Sequence, residues 1–169
     1  MSSKENLIKI FEYALNQEKT GMSFFRTSID RMGIGSAIDA FRKLIKEEQR
    51  HIDFISRILE NLKEKDEVEI PDMKEVAIKE TDFFDDRSES EFLEQCIEGS
   101  MVPDVTVFNT AWLIEKDLSE FYEKMASQTA GKAKQALEML SRWEKSHEIF
   151  FRKYRDKLSD MYSRMPWGG

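Results

Sequence analysis

Four long stretches of the chain carry hydrophobic residues at intervals of three and four positions, which is the period of one face of an α-helix. The first two stripes begin at Leu7 and Phe41, and a short glycine-containing turn at 33–35 joins them. The other two begin at Val107 and Ala136, with a second turn between them. We therefore predict four helices, over about residues 3–32, 37–63, 104–126 and 132–161.

The helical pattern weakens between the second and third helices, in residues 64–103. This segment opens with a run of charged residues, which is typical of a solvated region, and Pro71 breaks a continuing helix. Its one predicted element is a short helix over 92–97 that ends before Gly99. Such a long connection suits a crossover that carries the chain from one end of a helical bundle back to the other.

Two helical hairpins and a crossover together predict one domain of the all-α class, an antiparallel four-helix bundle over residues 1–165. The chain of 169 residues is long enough to bury one core of this kind. Residues 166–169 are expected to form a tail.

Ionisable residues interrupt the middle of every hydrophobic stripe, where an apolar residue is expected. The first and third stripes each contain a glutamate, and the second and fourth each contain a glutamate followed three residues later by a histidine. The chain has only two histidines, and both belong to these pairs. Residues three apart on a helix share a face, so the carboxylate and imidazole of a pair can reach one point. The complete set is Glu18, Glu48, His51, Glu115, Glu144 and His147.

The two halves of the chain repeat this arrangement. The pattern Phe-x-x-Ala-x-x-x-Glu that ends at Glu18 occurs again ending at Glu115, and Glu-x-x-His-x-x-Phe begins at both Glu48 and Glu144. The separation of the two glutamates is also nearly the same in each half, so each hairpin returns to the same height. We infer a duplicated helix pair with approximate two-fold symmetry, which brings all six side chains to one level of the bundle.

Four carboxylates at one level of a core require compensating positive charge. Ionised, they would repel one another and lose their hydration, and without metal some would take up protons. Two divalent ions would neutralise them. One Glu from each of two helices, with Glu-x-x-His from each of the other two, is the known pattern of di-iron and di-manganese carboxylate proteins. We interpret the glutamates beside the histidines, Glu48 and Glu144, as bridging ligands. The other two glutamates would be terminal ligands, and each histidine would add an imidazole ligand to one of the two ions.

The ligand types favour two iron ions, with manganese as the alternative, because both metals accept mixed carboxylate and imidazole ligands. The single cysteine, Cys96, excludes a four-cysteine metal module and an internal disulfide in this sequence, which favours a cytoplasmic protein. A lone Glu-x-x-His would more often be a surface pair. Two such pairs in core positions argue for a metal site, although that site could be structural, in a helical interaction module.

Charge and hydropathy exclude two classes of partner. The net charge of −7 argues against nucleic acid, which needs a basic face. No apolar run approaches the length needed to span a bilayer, and the N-terminal residues do not form a signal peptide.

Five residues near the proposed ligands have other predicted roles. Phe25 and Tyr122 lie two turns beyond the terminal glutamates and are expected to pack in the core, with a hydrogen bond from Tyr122 to the site as the alternative. Trp143 precedes a ligand and is expected to pack at a helix interface. Glu47 and Glu148 neighbour ligands but point off their face, so we expect them to be solvated.

The pattern Glu18, Glu48-Gln-Arg-His51, Glu115 and Glu144-Lys-Ser-His147 resembles the ferritin-like di-iron carboxylate superfamily, and within it the rubrerythrin-like branch. Segments 14–18, 46–51 and 115–122 carry the likeness to the branch. The resemblance covers both hairpins but not the crossover. It implies a non-haem di-iron centre in a four-helix bundle, redox chemistry with peroxide or dioxygen in the cytoplasm, an external electron donor and a homodimer.

Two departures from typical rubrerythrins bear on activity. Those proteins carry a small iron domain held by four cysteines, and this sequence, with one cysteine, contains no such domain. They also carry a second glutamate one turn after the ligand of the third helix, where this chain has Leu118. These departures argue against efficient peroxidase turnover. The first hypothesis is still an enzyme, a di-iron oxidoreductase that acts on peroxide or dioxygen, and an iron-binding ferroxidase or storage protein is the alternative.

Overall fold

The computed structural model describes residues 3–31, 36–71 and 105–164. These residues form four α-helices and contain no strand, which confirms the predicted all-α class. The helices are α1 (Lys4–Arg31), α2 (Ser36–Lys65), α3 (Val105–Ser127) and α4 (Gly131–Arg164).

Local signals set several of the helix ends. The Ser3 hydroxyl accepts a hydrogen bond of 3.3 Å from the Asn6 amide, so Ser3 caps α1. Helix α2 runs two residues beyond its predicted end and stops at Asp66, whose φ of 61° is left-handed. Lys63 and Lys65 lie in the last turn, where positive charge interacts favourably with the helix dipole. The first charged residues of the run, up to Lys65, are therefore both solvated and helical.

The helices pack as two antiparallel hairpins. Lys63 near the end of α2 forms an ion pair of 2.8 Å with Glu12 near the start of α1. In the second hairpin, the hydroxyls of Ser119 on α3 and Ser141 on α4 each donate to the other residue's carbonyl, at 3.4 and 3.2 Å. Helix α1 also contacts α3, so the two hairpins face each other across the middle of the bundle.

The hydrophobic core is divided into two clusters. The first packs the start of α1 and α4 against the end of α2 and α3, and contains Phe11, Phe54, Ile58, Leu137 and Leu140 among others. The second occupies the opposite end of the bundle and contains Phe25, Phe41, Phe108, Phe151 and Tyr154 among others. The ionisable residues that interrupt each stripe fall between the two clusters along every helix, so the core closes over them from both ends.

Several predictions concern residues outside the described part of the chain. These are most of the crossover, its short helix over 92–97, Cys96 and the tail. The residues that open the crossover, 66–71, form neither helix nor strand, and Val68 there is buried against the first cluster. Within the described ranges, no helix combines the length and apolar character needed to cross a membrane.

Candidate metal centre

The structure brings all six sequence-predicted ligands together in the middle of the bundle. These residues are at most 2% exposed. Their ligand atoms form two groups, within each of which all lie no more than 4.8 Å apart. Two glutamates are common to both groups, as the bridging interpretation requires. The groups are Glu18, Glu48, His51 and Glu144, and Glu48, Glu115, Glu144 and His147.

His51 directs its Nδ1 atom at three carboxylates. That nitrogen lies 2.7 Å from Glu144 Oε1, 3.7 Å from Glu48 Oε2 and 3.8 Å from Glu18 Oε2. The shortest of these contacts lacks hydrogen-bond geometry, because the Nδ1 atom and the Glu144 oxygen are not aimed at each other. The atoms converge on a shared space instead.

His147 has the equivalent position in the second half of the chain. Its Nδ1 atom lies 3.2 Å from Glu48 Oε1, 3.5 Å from Glu115 Oε2 and 3.6 Å from Glu144 Oε2. The two imidazole rings lie nearly parallel, with centroids 5.5 Å apart. Each histidine therefore presents the same nitrogen to the carboxylates, as the two-fold repeat predicts.

The buried polar atoms of the centre fit a metal site. With every carboxyl ionised, they have no hydrogen-bond donor among the described residues, although buried polar atoms nearly always have a partner. They are oxygens and one imidazole nitrogen, a donor set that suits iron or manganese. The atoms are Glu18 Oε2, His51 Nδ1 and both carboxylate oxygens of Glu48, Glu115 and Glu144.

Two of the carboxyls favour their protonated form when no metal is bound. Burial raises the pKa of Glu18 and of Glu115 well above the ordinary value, and the negative charges of Glu144 and Glu48 raise both further. As carboxylic acids, Glu18 and Glu115 can donate hydrogen bonds to Glu48 and Glu144, respectively. Protons thus supply the donors that the fully ionised cluster lacks.

The other two carboxyls stay ionised. Burial and the charge of Glu144 act to raise the pKa of Glu48, but hydrogen bonding to Glu18 and the charge of His51 outweigh them and lower it to about 2. Burial likewise acts to raise the pKa of Glu144, but the positive charge of His51 and the nearby side chains of Glu115 and His147 hold it well below the ordinary value. The two shared glutamates are therefore the anionic pair.

Both histidines carry a positive charge in the metal-free protein. Burial acts to lower their pKa values, but neighbouring carboxylates raise both well above the ordinary value. For His51 the strongest neighbours are Glu144 and Glu48, and for His147 they are Glu47 and Glu115. The raised pKa values of Glu18, Glu115 and the two histidines favour bound protons that offset the charge of the carboxylates, so metal ions would take the place of protons.

Tyr122 is buried and forms a hydrogen bond with a residue of the centre. Its hydroxyl donates a hydrogen bond of 2.6 Å to Glu18 Oε1, so the structure shows the alternative role we considered for it. Burial and the carboxyl group of Glu18 raise the pKa of Tyr122 well above its ordinary value, so the phenol remains a neutral donor. Phe25 and Trp143 pack in the core, as predicted.

The prediction that Glu47 is solvated is wrong. Its side chain is 18% exposed, and Glu47 Oε2 makes a hydrogen bond with Nε2 of His147, on the side of the ring away from the cluster. Helix α2 packs closely enough against α4 for a residue beside the ligand face to reach across. The signal in the sequence is weak, because it consists only of a second carboxylate directly before Glu48.

The same prediction is wrong for Glu148, which is 2% exposed. Its Oε1 accepts a hydrogen bond of 2.8 Å from the indole of Trp112 on α3, and Lys145 and Arg152 lie 3.5 and 3.6 Å from its oxygens. Arg155 lies over the Trp112 ring, 4.1 Å from its centroid. These partners on α3 and α4 surround the carboxylate, and the spacing within α4 alone does not reveal the Trp112 contact.

The fold and the centre together define a class: a four-helix bundle that gathers glutamates and histidines into a buried cluster able to hold metal. The comparison with protein families is more specific. The family model described as Rubrerythrin matches residues 9–155, and the chain belongs to this family, which confirms the resemblance drawn from the motifs. Comparisons with curated proteins and with solved structures gave no significant match.

Proposed function

We propose that this protein binds two iron ions through Glu18, Glu48, His51, Glu115, Glu144 and His147, and uses them to reduce peroxide or dioxygen. An external donor would supply the electrons, and the protein would act as a homodimer in the cytoplasm. The observation that carries the proposal is the sharing of Glu48 and Glu144 between two ligand groups in a fully buried cluster. Membership of the Rubrerythrin family supports it.

The charges of the cluster match this role. The chain would release the protons held on Glu18, Glu115 and the histidines, so that four carboxylates balance two divalent ions. When bound, two ferrous ions supply the two electrons that cleave the O–O bond of a peroxide. The two core clusters keep bulk water from the centre on both sides. Glu48 and Glu144 would hold the ions close enough to act on one small molecule.

A cleft between α1 and α3 offers a route to the centre. Its volume is about 360 Å³, and its lining includes Gln17 and Ile114, which are the direct neighbours of the two terminal glutamates. Leu118 lines the same cleft, at the position where typical rubrerythrins have a further glutamate. We propose that a small oxidant enters here and passes Leu118, whose apolar side chain offers no additional ligand.

The test is a rapid-mixing experiment on the anaerobic protein loaded with ferrous iron. We expect peroxide to oxidise the bound iron faster than free ferrous iron at the same concentration, and repeated turnover when a reductant is added. His51→Ala should slow oxidation, whereas Glu12→Gln, a change on the exposed surface of α1, should not. Oxidation at the rate of free iron would contradict the proposal.

The size of the assembly separates this function from storage of iron, which needs a large hollow shell. We expect gel filtration of the iron-loaded protein to give a dimer. A shell of many subunits that accumulates iron well beyond two ions per chain would favour the ferroxidase and storage role. A protein that retains no metal would instead favour a helical interaction module.

A further inference from the structure

The two histidines of the centre differ in what holds the far side of their rings. His147 on α4 places Nδ1 toward the cluster, and its Nε2 atom hydrogen-bonds Glu47 on α2. If Nδ1 binds a metal ion, Nε2 carries the ring proton and donates it to the carboxylate of Glu47. A carboxylate in this position fixes the tautomer and orientation of a ligating imidazole, raises its basicity and adds a negative charge beside the ion.

The other histidine, His51, is stacked against an aromatic ring. Trp143 lies nearly parallel to His51, at an angle of 16° with centroids 5.3 Å apart. All carboxylate contacts of His51 that involve described residues are made through Nδ1, so none of those residues places a carboxylate on its Nε2. Trp143 and Glu47 occupy corresponding positions of the repeat, because each directly precedes the glutamate of a Glu-x-x-His motif. The internal symmetry is therefore broken at this position.

The hydrogen bond from Tyr122 to Glu18 does not make the two ligand groups equivalent. Tyr122 donates to Glu18 Oε1, but a phenol orients this ligand without adding charge. The corresponding residue of the other half is Phe25, which has no hydroxyl to offer Glu115. Outside the group that contains His51, the hydrogen-bonding partner is the neutral phenol of Tyr122. Outside the group that contains His147, the partner is the carboxylate of Glu47.

We propose that the two metal positions are unequal, and that the position formed with Glu115 and His147 binds a divalent cation more tightly than the position formed with Glu18 and His51. Glu47 is the positioning residue that causes the difference, through its bond to the outer nitrogen of His147. This inference rests on the proposed function for the identity of the ligands. It adds the order in which the positions fill and the residue that sets that order.

The experiment is a titration of the metal-free full-length protein with Co²⁺, followed by calorimetry and by the visible spectrum of the bound ion. We expect two ions per chain with separate affinities. Glu47→Gln should weaken the tighter position by about 10- to 100-fold and leave the weaker one nearly unchanged. Glu148→Gln is the matched control, because Glu148 also neighbours a ligand but bonds Trp112 rather than an imidazole. Its two affinities should equal those of the wild type.

Two further variants assign the positions. His147→Ala should remove the tighter position, and His51→Ala should remove the weaker one. Equal affinities in the wild type, unchanged affinities in Glu47→Gln, or loss of the tighter position in His51→Ala would overturn the inference while leaving the two-metal function intact. A wild-type protein that binds fewer than two ions would instead overturn the proposed function itself.

Discussion

Glu18 shows how one carboxyl group can serve the centre both with and without metal. It is fully buried, and burial is the main cause that raises its pKa, which favours the protonated form when no ion is present. Tyr122 donates to one of its oxygens at 2.6 Å, which leaves the other directed at the cluster. The phenol therefore selects the orientation in which Glu18 could reach an ion.

Replacing Tyr122 by Phe tests this bond. The change leaves a buried carboxyl oxygen without its donor, so the free energy of unfolding of the metal-free protein should fall by about 1–3 kcal/mol. Affinity for the ion at the His51 position should fall as well, because Glu18 loses its fixed orientation. Chemical denaturation and Co²⁺ titration measure the two effects.

Tyr13→Phe is the matched control, since Tyr13 is 52% exposed on the same bundle. Its effect on stability should stay within about 0.5 kcal/mol. If Tyr122→Phe behaves like this control in both measurements, the hydrogen bond has no role in holding Glu18.

At the scale of the helices, the contact between α1 and α3 controls the width of the cleft beside the centre. Gly21 on α1 is buried there, and a Cβ atom at this position would lie 3.3 Å from Ile114 Cγ2 on α3. The absence of a side chain therefore lets the helices that carry the two terminal glutamates approach each other.

Gly21→Val should force α1 and α3 apart. Overpacking of this kind costs about 1–3 kcal/mol in the free energy of unfolding, and the gain in helix propensity over glycine is smaller than that cost. Thermal and urea unfolding measure the loss. Thr20→Val places the same side chain one residue earlier, on the exposed face, and should change stability little. Equal stability of the two variants would show that the contact at Gly21 is loose.

The positions of the helices were predictable because the three- and four-residue spacing of hydrophobic residues is a property of each helix alone. Both bounds of each of the four helices agree with the structure within three residues. The meeting of the six ionisable side chains was also predictable, because the repeat fixes their height in each hairpin. The roles of Glu47 and Glu148 were not, because each depends on a contact with a different helix. Spacing along one helix says nothing about the distance to its neighbour.

At the scale of the whole molecule, the centre links folding to protonation. Four of its groups, Glu18, Glu115, His51 and His147, have pKa values raised by folding, so the folded chain holds their protons more tightly than the unfolded chain. Their contribution to stability is complete below the unfolded pKa values and is lost as the pH rises through the folded ones. Glu48 acts oppositely, since its contribution is lost as the pH falls toward about 2.

The metal-free protein should therefore become less stable as the pH rises from about 6 to 9. Each group that titrates in this range contributes a slope on the order of 1 kcal/mol per pH unit. Stabilisation by added Mn²⁺ should grow over the same range, because the ion displaces those protons. Thermal unfolding at several pH values measures both trends.

Glu115→Gln provides the control for this prediction. It removes one group with a raised pKa, so the pH dependence of the metal-free variant should be shallower than that of the wild type. A wild-type melting temperature that is constant or rises from pH 6 to 9 would contradict the assigned protonation states.

The metal content of the protein tests the central claim most directly. The protein is loaded anaerobically with ferrous iron, freed of excess iron by gel filtration and subjected to elemental analysis. We predict two iron ions per chain for the wild type and for Glu12→Gln/Glu123→Gln, which changes two surface carboxylates. The double variant Glu48→Gln/Glu144→Gln, which removes both shared ligands, should retain almost none. Fewer than two ions in the wild type, or two ions in the variant without the shared glutamates, would contradict the account.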